Sequence, residues 1–150
     1  MEPINIKLFI NNDWVDGEKG SVLEVENPST LETAGTAAQG TRHDVQKALE
    51  AAQKAFEVWS KTTGEQRSIL IKKAAEIIAT QQEKLAEILT TEHGKPLNEA
   101  QGEVKGALNY LIYYSEEAKR ISGEVAPSKS ATSRSLVIKQ PRGVVAAIAP

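Results

Sequence analysis

The sequence predicts an α/β fold that is mostly helical, and three observations carry that expectation. Residues 144–149, Val-Val-Ala-Ala-Ile-Ala, form an uncharged apolar run behind the Arg142-Gly143 turn. Such a run, rich in β-branched side chains, reads as a strand of a parallel sheet buried on both faces. From Thr41 to about Ser122 apolar residues instead recur every three or four positions, the period of amphipathic helices. Ahead of Thr41, short apolar stretches are broken by Asn11-Asn12-Asp13, Asp16-Gly17 and Asn27-Pro28, as in small hairpins.

Composition narrows the partners. The 150 residues are 40% hydrophobic and 25% charged with a net charge of −2, a globular balance that favours neither nucleic acid nor an anionic membrane. No window approaches the ~20 apolar residues needed to span a bilayer. No signal peptide is visible at the start, so a cytoplasmic location is the expectation. The chain has no cysteine, which excludes disulfides, thiolate metal sites and a thiol nucleophile within it.

Leu8-Phe9-Ile10 and Trp14-Val15 read as a hairpin, Val22–Glu26 as a strand and Thr33–Ala38 as another. Thr41 and Asp44 have capping-box spacing and open a helix with Val45, Leu49, Ala52, Phe56 and Trp59 on one face. Thr63 and Gln66 repeat that spacing and open a second helix with Ile69, Leu70, Ala74, Ile77 and Ile78 inward. The pattern slips near Gln81-Gln82, and Leu85, Ile88 and Leu89 continue it to Gly94, placed to end a helix in the left-handed conformation. Pro96 suits the first turn of a further helix, which should carry Val104, Leu108, Leu111 and Ala118 on one stripe and stop at Gly123. Gly102 and Gly106 inside it each cost about 1 kcal/mol against Ala, so close approach by a neighbour is expected there. Pro127–Arg134 reads as a polar loop and Ser135–Gln140 as a strand.

Little in the chain is set up for catalysis. His43 and His93 stand apart, at the start and end of helices, where surface positions suit them. Lys95 with Glu99, and Glu116 with Arg120, are i,i+4 ion pairs worth ~0.3 kcal/mol each. Tyr110, Tyr113 and Tyr114 read as core aromatics. No phosphate-cradling glycine motif is present. The chemistry-bearing feature is the final strand, because ligands of parallel sheets sit beyond the carboxyl ends of the strands.

Several stretches resemble the aldehyde dehydrogenase superfamily. They are Asn27-Pro28-Ser29-Thr30, Trp59 followed by Glu65-Gln66-Arg67, Thr91-Glu92-His93-Gly94-Lys95-Pro96-Leu97-Asn98-Glu99-Ala100 with Glu103-Val104, and Val137–Val144 with Ala147–Pro150. They cover nearly the whole chain in the family's order. VIKQPRGVVAAIAP and GKPLNEAQGE are most similar to the succinate-semialdehyde dehydrogenase branch.

The resemblance implies the N-terminal portion of a Rossmann-like cofactor domain. Residues 1–126 would be its outer strands and helices, residues 127–140 the start of an oligomerisation β-arm, and residues 141–150 the first strand of the dinucleotide-binding sheet. It implies a homo-oligomeric enzyme that uses NAD or NADP to oxidise an aldehyde to a carboxylate, with its cysteine, glutamate and asparagine beyond Pro150. Ile148, Ala149 and Pro150 match positions lining the cofactor crevice. Glu92 matches an acidic position that holds a monovalent cation in some relatives, together with carbonyls near Val25 and Glu26; a plain helix-end carboxylate is the alternative. Gly106 matches a position facing the substrate tunnel, where glycine leaves room or only eases packing. The rival to this enzyme reading is a non-catalytic helical interaction module built on the same scaffold.

Overall fold

A computed structural model describes residues 4–149. Strand β1 (Ile4–Ile6) leads into a hairpin of β2 (Leu8–Ile10) and β3 (Asp13–Val15), then β4 (Val22–Asn27) and β5 (Glu32–Ala38). Helices α1 (Arg42–Trp59), α2 (Gly64–Ala79), α3 (Gln82–His93) and α4 (Leu97–Glu117) follow, and then β6 (Glu124–Ala126) and β7 (Ser135–Val137). Strands β1, β5 and β4 form one sheet in that order, with β1 parallel and β4 antiparallel to β5.

The β2–β3 connection is the two residues Asn11 and Asn12, both at positive φ (53° and 67°), the mirror-image turn that matches strand twist. It sets Phe9 opposite Trp14, ring centroids 4.9 Å apart. The Asn27-Pro28 turn joins β4 to β5: the Asn27 side chain accepts from the Ser29 N–H at 2.9 Å. Both capping boxes form. The Asp44 N–H donates to Thr41 Oγ1 at 3.3 Å while the Thr41 N–H donates to Asp44 at 2.8 Å. Thr63 and Gln66 exchange the same bonds at 3.2 and 2.9 Å. Gly94 ends α3 at φ 76°. The predicted slip near Gln81-Gln82 is the break between α2 and α3.

Helix α4 packs against both α2 and α3. Its expected stripe holds, with Leu108 buried and Val104, Leu111 and Ala118 half-buried. On α2 the inward face is a different one. Ser68 and Ala75 are buried and Ile71 and Ile78 half-buried, whereas Ile69, Leu70 and Ile77 are exposed. The buried positions on α2, α3 and α4 are mostly small, namely Ser68, Ala75, Ala86, Ala100 and Ser115, as at helix-to-helix seams. The apolar stripe of α1 is also open, with Val45, Leu49 and Trp59 exposed.

Further corrections concern the second half. Pro96 is the N-cap of α4 rather than a first-turn residue. Helix α4 ends at Glu117, well short of Gly123. Gly123 has another reason to be glycine: a Cβ built on it would lie 2.4 Å from the Val137 carbonyl oxygen. The expected strand from Ser135 is confined to Ser135–Val137, and its partner, β6, lies between the expected helix end at Gly123 and the expected loop from Pro127. Lys95 pairs with Glu103 rather than Glu99. The expected Glu116–Arg120 pair is present at 4.0 Å, and Glu116 lies closer to Lys119, at 2.9 Å. Residues 141–149 form no strand, because among the described residues no neighbour supplies the hydrogen bonds of a ladder.

Candidate functional site

Glu92 lies in the last turn of α3, and α3 packs on β4. Val25 pairs with Gly35 and Glu26 with Thr33, so Ala34 of β5 is left over as a bulge. The bulge and the helix end enclose a cavity of about 30 Å³, lined among others by Glu92, Thr91, Val25, Ala34 and Thr36. That is room for roughly one water or one small ion. The two threonine hydroxyls are engaged: Thr91 donates to the Glu87 carbonyl at 2.8 Å and Thr36 to Asn5 at 2.7 Å. Glu92 is exposed and forms no ion pair among the described residues. No cluster of three His, Cys, Asp or Glu exists among those residues. Ile4, Ile6 and Ile88 supply most of the rest of the lining, so Glu92 is the one charged side chain at a largely apolar cavity. Glu92 and Val25 line the same cavity.

Gly106 is half-buried on α4, and a Cβ built there or on Gly102 meets nothing within 4 Å. The expected close approach is absent among the described residues. One turn on, the tyrosines are exposed rather than core: Tyr110 is 68% accessible, and it stacks on Tyr114 at 6.4 Å. Tyr113 meets Tyr114 edge-on at 5.3 Å. Among the described residues no other element covers that face, and the rings pack on one another.

Of the three residues matched to a cofactor crevice, Ile148 is 100% accessible and Ala149 is exposed. Pro150 lies outside the described residues. Neither Ile148 nor Gly106 lines the Glu92 cavity, so the three candidate positions do not converge.

Three carboxylates are held below their ordinary pKa. Asp44 is lowered by the backbone N–H of Thr41 and then that of Glu18. Glu103 is lowered by its bond to Lys95, and Glu116 by Lys119. Asp44 caps α1, Glu103 ties the α3–α4 linker to α4, and Glu116 pairs with the residue three positions on, past the end of α4. The bond from Glu18 escaped the sequence reading, since a separation of 26 residues leaves no local signature.

Residues 14–150 match the model of the aldehyde dehydrogenase family. The chain belongs to that family. It is 41% identical over 142 residues to glutarate-semialdehyde dehydrogenase of Pseudomonas putida, covering 95% of this chain and 30% of the relative. Succinate semialdehyde dehydrogenase of Acinetobacter baylyi is 42% identical over 144 residues, again with 96% of this chain and 30% of the relative covered. Among solved structures, an NADP dependent enzyme of E. coli superposes with a TM-score of 0.87 at 32% identity, over 91% of this chain and 28% of that one. The chain therefore spans about 30% of the length of the curated relatives it matches. Its α/β fold is that of the aldehyde dehydrogenase N-terminal portion, and its homologues are NAD(P)-dependent oxidoreductases. No helix among the described residues is long and apolar enough to cross a membrane.

Proposed function

We propose that the protein carrying this chain oxidises a short aldehyde with a distal carboxylate, such as succinate semialdehyde, to a dicarboxylate. The observation that supports this reading is the identity of about two in five residues to two semialdehyde dehydrogenases across nearly the whole chain. NAD or NADP, when bound, supplies the hydride acceptor. A thioester route requires a thiol nucleophile, and these 150 residues contain no cysteine. The chain's own share is scaffolding. Residues 1–126 brace the cofactor domain, residues 127–140 begin a subunit-joining arm, and residues 141–150 enter the dinucleotide sheet beside other strands. Ile148, Ala149 and Pro150 line the cofactor crevice, Gly106 leaves width in the substrate route, and Glu92 holds a monovalent cation with carbonyls near Val25 and Glu26. The assembly is a cytoplasmic homo-oligomer.

The test is reduced-nicotinamide formation by the intact protein with succinate semialdehyde, glutarate semialdehyde and an uncharged aldehyde of equal length. The carboxylated substrates should show a kcat/KM higher by about tenfold or more, since a carboxylate-binding group left unpaired is costly. Equal turnover of the uncharged aldehyde would sink the substrate class. The 150 residues alone should show no turnover.

A further inference from the structure

We infer that the cleft between the end of α1, the start of α2 and the residues after α4 binds a small ligand in which a flat ring carries an anionic group. The cleft measures about 740 Å³, within the range of roughly 300–1,000 Å³ usual for small-molecule sites. Its walls combine two kinds of side chain. Phe56, Trp59 and Ile121 provide an apolar, partly aromatic surface, and Arg67, Lys119 and Lys139 provide positive charge. No Asp or Glu lines it.

The charges are not all used internally. Lys119 has Glu116 at 2.9 Å. Arg67 donates one nitrogen to the Thr62 carbonyl and hydroxyl, and neither Arg67 nor Lys139 has a carboxylate partner among the described residues. A half-buried guanidinium without a counter-charge attracts an anion. Trp59 is 44% accessible, so part of its indole is free to stack against a ring or to flank a bound anion's apolar body. The larger hollow at the α2–α3 turn is lined by Lys84, Lys105 and glutamines but by no aromatic residue, and the Glu92 cavity is too small for a ring. With only Arg67, Lys119 and Lys139 lining the cleft and a net charge of −2 on the chain, an extended polyanion has too little to follow. Aryl carboxylates and nucleoside monophosphates share the required chemistry. Lys139 and Pro141 belong to the arm and the strand of the dehydrogenase reading, while Phe56, Trp59 and Arg67 lie outside the residues it places at the cofactor crevice.

Calorimetric titration of the intact protein with salicylate, with its neutral amide and with AMP tests it, excess NADP being present to fill the cofactor crevice. At least one of the two anions should bind saturably, and whichever binds identifies the source. Its affinity should fall about tenfold in Lys139→Glu and in Trp59→Leu and survive in Lys139→Arg, and the neutral amide should bind about tenfold more weakly than salicylate. Both Lys139 and Trp59 are exposed, so the variants leave the packed helices intact. Absence of binding by both anions, or affinities unchanged in the two disruptive variants, overturns the assignment.

Discussion

The Asp44 carboxylate receives the backbone N–H of Glu18 at 3.1 Å from each of its two oxygens, although 26 residues separate them. Asp44 thereby caps α1 and ties the loop after β3 to it. Its pKa in the folded chain lies below the ordinary 3.8, chiefly through the Thr41 N–H and then that of Glu18. A depressed folded pKa means stability present above the unfolded value and lost as pH falls through the folded one. Asp44→Asn should therefore destabilise the fold at neutral pH and flatten its acid loss below about pH 4. Denaturant melts at several pH values check this; an unchanged acid limb would contradict it.

Gly94 stands at φ 76°, and a Cβ there would lie 2.7 Å from Pro28 Cγ. Gly94→Ala adds both backbone strain and a clash with the β4–β5 turn. A loss of about 1–3 kcal/mol is expected from the denaturant midpoint.

Two kinds of helical glycine should respond with opposite sign. A Cβ on Gly64 would lie 2.3 Å from the Ala118 carbonyl, whereas one on Gly102 meets nothing within 4 Å. Gly64→Ala should push α2 from the end of α4 and lower the melting temperature. Gly102→Ala should stabilise by up to about 1 kcal/mol through helix propensity alone. A destabilised Gly102→Ala in the intact protein would reveal a neighbour pressed against that turn.

Filling the space at Gly106 tests its proposed place on the substrate route. Gly106→Phe should raise KM for the preferred aldehyde about tenfold while leaving cofactor affinity unchanged. Unaltered kinetics would remove Gly106 from the route.

The cation assignment for Glu92 is checked by thermal melting in potassium, sodium and choline salts at equal ionic strength. The native protein should melt higher with the small cation than with choline, and Glu92→Gln should erase the difference. Equal melting in all salts for the native protein would leave Glu92 as a helix-end carboxylate.

Local chemistry was legible because its parts sit three or four residues apart. Thr41 with Asp44, and Thr63 with Gln66, announced two helix starts, and Gly94 announced an end. The family resemblance rested on the same kind of short, ordered stretches. Burial was less legible. Periodicity marked α2 as amphipathic but assigned Ile69 and Ile77 inward, since side-chain apolarity alone says nothing about how closely two helix axes approach.

By itself, the sequence determined the helix boundaries set by caps and turns, the Asn11-Asn12 hairpin and the family, all consequences of neighbouring residues. Tertiary structure alone decided that Ser68 and Ala75 face α4, that β6 pairs with β7, that Asp44 reaches Glu18 and that Glu92 closes a cavity beside Val25. Each of those depends on a contact between residues distant in the chain, where packing and backbone hydrogen bonding select among faces that local propensity leaves equivalent.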